Sequence, residues 1–150
     1  IQAQIVELFR ELQRKHDTAM IFIAHDLSVV QYMSDRIAVM YLGRIVELAD
    51  KETLFSNTLH PYSLALLSAI PQVATESQVK RIVLRGDVVS PINPKPQCRF
   101  AQRCWMASED CLEKEPELTE VEPGHFVRCF HWAESRSKAE HAEVVGIDNK

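Results

Sequence analysis

Short apolar runs placed between amphipathic segments are the feature that most constrains the fold of this chain. Apolar residues recur at helical spacing over residues 1–16, and a continuously apolar run, TAMIFIA, follows over residues 18–24. Such a run is typical of a strand covered on both faces. A second run, RIAVMYL (36–42), leads through Gly43 into the alternating segment GRIVELA (43–49). The pattern predicts a βαβ unit with an added antiparallel hairpin, and therefore an α/β fold.

Two polar residues follow the first predicted strand. Asp26 precedes a segment with apolar residues at helical spacing, so it is predicted to be the N-cap of a helix. His25 stands at the predicted strand end, where α/β proteins commonly bind ligands. Its imidazole is either a hydrogen-bonded, half-buried group without a chemical role, or a group that faces a phosphate or another anion. The residues alone leave both interpretations open.

The second half of the chain has a different character. Short helices are predicted over residues 50–56 and 60–70, the latter with Pro61 in its first turn. One more strand is predicted over residues 80–89. Prolines then punctuate the chain before and within a cysteine-rich stretch at residues 90–133. This stretch is predicted to be a small, irregular module.

Composition narrows the class of protein. The 150 residues are 46% hydrophobic and 25% charged, with a net charge of -4, so no basic face for nucleic acid is expected. The longest apolar runs, 19–24 and 37–42, have six residues, well short of the roughly 20 that a membrane-spanning helix needs. Because no basic and apolar segment opens the sequence, we expect no secretory leader. The chain starts at Ile1 within a helical pattern, so we expect it to be a fragment of a longer protein.

All four cysteines lie close together, with the spacing C-x5-C-x6-C-x17-C: Cys98, Cys104, Cys111 and Cys129. Disulfides are disfavoured in a leaderless chain of this kind, and four unrelated core thiols are a second alternative. The clustering among prolines favours a shared four-thiolate metal site. The spacing matches neither the usual zinc knuckles nor the ferredoxin motifs, so zinc and an iron–sulfur cluster both stay open on spacing alone.

Several side chains near the cysteines have predicted supporting roles. Three arginines adjoin cysteines and are expected to favour the thiolate form: Arg99, Arg103 and Arg128. Four aromatic residues are expected to form a hydrophobic shell around the metal: Trp105, Phe126, Phe130 and Trp132. His60 is expected to order its own segment locally, whereas His125 and His131 are candidate spare ligands.

Three motifs carry a family resemblance. The segment MIFIAHDLSVVQYMSDRIAVMYLGRIVE (20–47) resembles the end of an ABC-transporter ATPase domain. HPYSLALLSAIP (60–71) and SPINP (90–94) are similar to the C-terminal extension of the ATP-binding subunits of oligopeptide and dipeptide ABC transporters. The resemblance covers about residues 1–133. It implies that His25 is the switch histidine of the H-loop, which contacts the γ-phosphate of ATP.

The resemblance also implies a domain organisation. Residues 1–57 would be the C-terminal part of an ABC-type ATPase domain, and residues 58–133 the peptide-transporter extension. The extension would contain the four-cysteine module at residues 90–133, and residues 134–150 are predicted to be a disordered tail. Some members of the family carry a [4Fe-4S] cluster in this extension, so the resemblance favours that cluster over Zn²⁺.

The resemblance finally implies an activity that this chain lacks by itself. A parent subunit would bind ATP and Mg²⁺ and hydrolyse ATP to drive peptide import. The chain contains no G-x-x-x-x-G-K-[ST] phosphate loop, and the family's signature sequence and acidic residues are expected upstream of Ile1. The chain alone should therefore be inactive. A second ATPase subunit and transmembrane permease subunits would be its partners, at the cytoplasmic face of the membrane.

One alternative belongs to another class of protein. The chain would be a non-enzymatic cysteine–metal module for interaction or redox sensing, with residues 1–49 only as its scaffold. The sequence upstream of Ile1 distinguishes the two hypotheses, because a phosphate loop there would indicate the ATPase.

Overall fold

A computed structural model describes residues 2–70, 81–84, 86–87, 90, 92–135 and 137. The described part has an α/β fold with one four-stranded sheet. Its helices are α1 (Gln2–His16), α2 (Leu27–Met33), α3 (Lys51–Ser56), α4 (Pro61–Ser68) and α5 (Glu109–Glu113), with 3-10 turns at Ala101–Arg103 and Trp132–Glu134. Its strands are β1 (Arg36–Tyr41), β2 (Arg44–Asp50), β3 (Thr119–Glu122) and β4 (His125–Val127). None of the described helices combines the length and the apolar character needed to cross a bilayer.

The predicted hairpin is confirmed. β1 and β2 pair antiparallel from Arg36 opposite Asp50 to Tyr41 opposite Arg44. The two connecting residues, Leu42 and Gly43, have φ of 44° and 76°. Positive φ at both positions is the conformation of the two-residue turns whose twist matches that of paired strands.

A shift in register near the middle of this hairpin changes which side chains are buried. Val39 lies opposite Glu47, whereas the next residue of β1, Met40, lies opposite Ile45, so Val46 has no partner in β1. Such a bulge interrupts the alternation of inward and outward side chains. As a result, Val46 and Glu47 are both buried.

The predicted helices are formed, and their caps follow local chemistry. The carboxylate of Asp26 accepts hydrogen bonds from the backbone N–H groups of Ser28 and Val29 at 2.9 and 3.4 Å, which confirms it as the N-cap of α2. Asp50 caps α3 in the same way through Thr53. These bonds satisfy N–H groups that the first helical turn leaves without partners.

The strand predicted over residues 18–24 is wrong. This segment has no regular secondary structure, and Ile21 and Ile23 are 96% and 93% exposed. A strand that is apolar on both faces needs neighbouring strands and cover on both sides, and the described residues supply neither. The predicted βαβ unit is therefore absent from the described part of the chain.

The strand predicted over residues 80–89 is also absent from the described residues of this segment. Residues 81–84 have no regular secondary structure. Positions 80, 85, 88 and 89 lie outside the described residues, as does nearly all of the predicted tail at 134–150.

The cysteine-rich extension is more regular than the sequence predicts, because it contributes β3 and β4 to the sheet. The strand order is β1-β2-β4-β3, with β4 antiparallel to β2. Phe100 of the extension is buried against Tyr41 of β1 and Tyr62 of α4, at ring-centroid distances of 5.2 and 5.4 Å. The extension and the hairpin thus share one sheet and one core.

Candidate functional site

The first candidate residue, His25, lies at an exposed bend immediately before α2. Its predicted position at the end of a strand is corrected, because no strand precedes it. Asp26 fixes the backbone next to it through the cap of α2. Across the described ranges, His25 has no hydrogen-bond or ion-pair partner, and its imidazole is open to solvent.

The second candidate is the set of cysteines, and the structure brings all four together. Their side chains line one small cavity, hereafter the Cys cavity, of about 10 Å³, which is close to the space that a single water molecule needs. Its lining residues are His60, Pro61, Cys98, Phe100, Ala101, Cys104, Met106, Cys111, Pro116, Cys129, Phe130 and His131. No carboxylate is among them. All four cysteines are free thiols.

Backbone N–H groups face three of the sulfurs. Met106 donates to the sulfur of Cys104 at 3.4 Å, and His131 donates to that of Cys129 at 3.3 Å. The backbone N–H groups of Phe100 and Ala101 lie near the sulfur of Cys98 and act to lower its pKa, although that of Ala101 donates to the Cys98 carbonyl at 3.1 Å. Donors at such positions stabilise a thiolate relative to a thiol.

The environment of the fourth sulfur involves side chains. The hydroxyl of Ser108 lies 3.5 Å from the sulfur of Cys111. The same oxygen lies 2.8 Å from Nε2 of His131. His131, which the sequence suggests as a spare ligand, therefore lines the Cys cavity and contacts a cysteine through a serine.

Burial sets the protonation of the thiols in the absence of a bound metal. It raises the pKa of Cys104 and of Cys129 to about 12, and it also raises the pKa of Cys98. The backbone N–H groups described above oppose this effect only partly. These thiols are therefore neutral near pH 7, and a metal would have to displace their protons.

Two of the neighbouring arginines are bonded to backbone carbonyls. Arg99 donates to the carbonyl of Leu42 at 3.0 Å, and Arg128 donates to those of Ile45 and Pro116 at 2.9 Å each. Through these bonds they join the β1–β2 hairpin to the extension.

The predicted aromatic shell also needs correction. Of its four members only Phe130 lines the Cys cavity, while Phe100 and Met106 supply other apolar parts of the wall. Trp105 packs against the main core instead.

The donor set of the Cys cavity suits a thiolate-bound metal group. Four thiols share one cavity, and the sulfurs of Cys104, Cys111 and Cys129 each have a hydrogen-bond partner. In the described residues, however, no group of three or more His, Cys, Asp or Glu side chains is arranged to hold a metal ion. The chemistry of the side chains fits such a group, and a cavity of about 10 Å³ has to widen to accept anything larger than one small atom.

A buried polar network next to the Cys cavity was not predicted from the sequence. Glu47, fully buried in β2, accepts hydrogen bonds from the backbone N–H groups of Leu59 and His60 at 2.8 and 3.0 Å. Its carboxylate also lies 2.9 Å from Nε2 of His125 in β4. His125 is thus a partner of Glu47 and not a spare metal ligand. Glu47 lies opposite buried Val39 and on the same face of the sheet as buried Ala49.

His60 links this network to the Cys cavity. Its Nδ1 accepts a hydrogen bond from the N–H of Tyr62 at 3.1 Å, which makes it the N-cap of α4. On the other side its ring donates to the backbone of Arg128, next to Cys129. Desolvation lowers the pKa of His60 to about 3, so the ring is neutral. The prediction that His60 orders its own segment is confirmed.

Part of the chain matches the model of a known class of protein. Residues 46–111 match the family described as the oligopeptide/dipeptide transporter, C-terminal region. The match begins in β2, extends through α4 and ends at Cys111. This part of the chain is therefore similar to the C-terminal region of oligopeptide/dipeptide transporter proteins, as the resemblance predicts.

Individual relatives narrow this class further. A peptide import ATP-binding protein of Brucella ovis is 50% identical over 130 residues, which are 87% of this chain and 41% of the relative. The oligopeptide transport ATP-binding protein AppF of Bacillus subtilis is 49% identical over 86% of this chain and 40% of its own length. The dipeptide transport ATP-binding protein DppF of Haemophilus influenzae is 44% identical, with 87% and 40% covered.

The chain spans about two-fifths of the length of these relatives. It is related to the ATP-binding subunits of peptide transporters, which confirms the resemblance found in the sequence.

Proposed function

We propose that this chain is the C-terminal part of an ATP-binding subunit of an ABC importer for peptides. The observation that carries the proposal is the identity of 50% over 130 residues to a peptide import ATP-binding protein. The parent subunit would bind ATP with Mg²⁺ and couple its hydrolysis to transport. The chain itself holds no phosphate loop, so ATP binding requires segments from the remaining part of the relatives' length.

We propose His25 as the residue of this chain that contacts the γ-phosphate. Phosphoryl transfer spreads negative charge over the phosphate oxygens. An enzyme accelerates it mainly with hydrogen-bond donors that are already in position around these oxygens before the reaction begins. The exposure of His25 and the fixed cap at Asp26 support this role, because the imidazole is accessible beside a rigid backbone position.

The proposal includes an assembly. A second ATPase subunit would supply the other half of the nucleotide site, and transmembrane permease subunits would hold the pair at the cytoplasmic face of the membrane. Residues 1–57 would complete the ATPase domain, and residues 58–133 would form the extension. The names of the relatives, which refer to peptide, oligopeptide and dipeptide transport, support this assignment.

ATP turnover by the complete subunit tests the role of His25. His25→Ala is expected to lower turnover by about 100-fold or more, the scale for the loss of one preplaced donor. His16→Ala is the matched control, because His16 is an exposed histidine at the end of α1. Turnover in the His25 variant equal to that of the control would remove the assignment.

We further propose that the four cysteines bind a [4Fe-4S] cluster as thiolates. Their shared cavity and the donors to their sulfurs support this, and such a group would supply covalent cross-links between distant parts of the extension. Protein purified without oxygen should be brown, with iron and sulfide that are lost when Cys104→Ser and Cys129→Ser are combined. Stoichiometric zinc in colourless protein would contradict the cluster and leave a zinc site.

A further inference from the structure

The hydrogen-bond donor at Cys111 differs in kind from those at the other cysteines. Backbone N–H groups face the sulfurs of Cys98, Cys104 and Cys129. Cys111 lies within α5, where N–H groups point along the helix axis towards preceding carbonyls. Its sulfur has the Ser108 hydroxyl at 3.5 Å instead. At Cys111 the group next to the sulfur is thus a side-chain hydroxyl, whereas at the other three cysteines it is a backbone N–H.

Ser108 occupies a helix N-cap position, but its side chain does not cap the helix. It is the N-cap residue of α5, yet its side chain makes no capping hydrogen bond. A serine at an N-cap normally accepts a bond from the first helical turn. Here the hydroxyl lies between the sulfur of Cys111 and Nε2 of His131, 23 residues further along the chain.

We propose that Ser108 is a positioning residue for Cys111 in the metal-bound form, an inference that rests on the proposed four-cysteine site. A metal-bound thiolate only accepts hydrogen bonds, so the single proton of the hydroxyl points to the sulfur of Cys111. The oxygen of Ser108 must then accept from His131, whose Nε2 carries a proton. This chain of bonds fixes both the rotamer of the serine and the tautomer of the histidine.

The inference has a measurable physical consequence. Residues that hydrogen-bond to the ligands of a metal orient those ligands. Removal of such a residue commonly weakens metal binding by about 10-fold to 100-fold. Hydrogen bonds to the sulfurs also raise the reduction potential of an iron–sulfur cluster, because they stabilise the more negative reduced state. Loss of the hydroxyl should therefore speed release of the metal and make the potential of a cluster more negative.

The test compares three serine variants of the full chain with the unmodified chain. Ser108→Ala removes the hydroxyl without removing a cap bond, and Ser108→Thr keeps the hydroxyl. Ser28→Ala is the control, because Ser28 is exposed on α2 and lies outside the Cys cavity. Each protein is purified without oxygen, its iron, sulfide and zinc are measured, and release of the metal to a chelator is followed together with the potential of any cluster.

The expected result is release about 10-fold faster or more in Ser108→Ala, with a more negative potential if a cluster is bound. Ser108→Thr and Ser28→Ala should match the unmodified chain. If the unmodified chain contains neither iron nor zinc, the proposed metal site and this inference both fail. If the unmodified chain is loaded and Ser108→Ala releases metal at the same rate, only the inference about Ser108 is wrong.

Discussion

Glu47 shows how one buried side chain joins three parts of this molecule. It extends from β2 to the N–H groups of Leu59 and His60, which precede α4, and to the ring of His125 in β4. The remaining ring nitrogen of His125 lies 3.9 Å from the carboxylate of Glu122. A buried carboxylate is stable only where such partners replace its hydration.

Replacement of Glu47 should therefore be among the most destabilising changes at a single residue. Glu47→Ala leaves two buried N–H groups and one imidazole without their acceptor, and the expected loss of unfolding free energy is about 3–5 kcal/mol. Urea denaturation followed by circular dichroism measures it. Glu113→Ala, at an exposed position of α5, is the control and should stay within about 0.5 kcal/mol of the unmodified chain. A loss equally small at Glu47 would refute the structural role of the network.

At the scale of the elements, the helices and the first hairpin were predictable because their signals are local. Asp26 and Asp50 are cap residues, Pro61 suits a first helical turn, and Gly43 accepts positive φ. The strand predicted over residues 18–24 could not form, since strand pairing depends on neighbours that a local pattern does not supply.

The features that were missed depend on distant contacts. β4 forms because it pairs with β2, where Glu47 lies opposite Val127, 80 residues further along the chain. The partners that allow Glu47 to be buried, namely Leu59, His60 and His125, lie 12, 13 and 78 residues away from it in sequence. For the site, the spacing of the cysteines indicated their grouping, whereas the link from Ser108 to His131 crosses 23 residues and has no sequence signal.

The cap of α4 should make the stability of the chain sensitive to acid. Burial lowers the pKa of His60 from 6.5 to about 3 in the folded protein. Between these values the unfolded chain binds a proton at His60 that the folded chain excludes, so stability decreases as the pH falls below about 6.5. The decrease attributable to this group approaches about 1.4 kcal/mol per pH unit.

His60→Asn tests this origin of the acid sensitivity. Asparagine still caps a helix but does not titrate. The variant should be less stable at pH 7, because its side chain cannot reproduce both hydrogen bonds of the ring, yet its stability should fall less steeply between pH 6.5 and 4. Urea denaturation at several pH values gives both slopes. An unchanged slope in the variant would show that other groups cause the acid sensitivity.

At the scale of the whole molecule, the extension and the β1–β2 hairpin are joined by packing and by polar contacts. Phe100 is buried between Tyr41 and Tyr62, whose own rings lie 4.7 Å apart. Arg44 of β2 forms an ion pair with Glu115 at 2.8 Å. Elements that share a core in this way are expected to unfold in one transition.

Two independent probes and one core substitution test this coupling. Both tryptophans of the chain, Trp105 and Trp132, lie in the extension, so fluorescence reports on the extension, whereas hydrogen exchange in β1 and β2 reports on the hairpin.

Phe100→Ala removes a fully buried ring and should lower the free energy of unfolding by about 3–5 kcal/mol by both probes. Leu112→Ala is the control, because Leu112 is 54% exposed and lies neither in the wall of the Cys cavity nor in the shared core. If Phe100→Ala shifts the fluorescence transition alone and leaves exchange in the hairpin unchanged, the hairpin does not depend on the extension. A shift of equal size by both probes would show that the extension and the hairpin unfold together. Phe100 lies both in the wall of the Cys cavity and in the core shared with the hairpin. Binding that stabilises the Cys cavity would then also stabilise the hairpin.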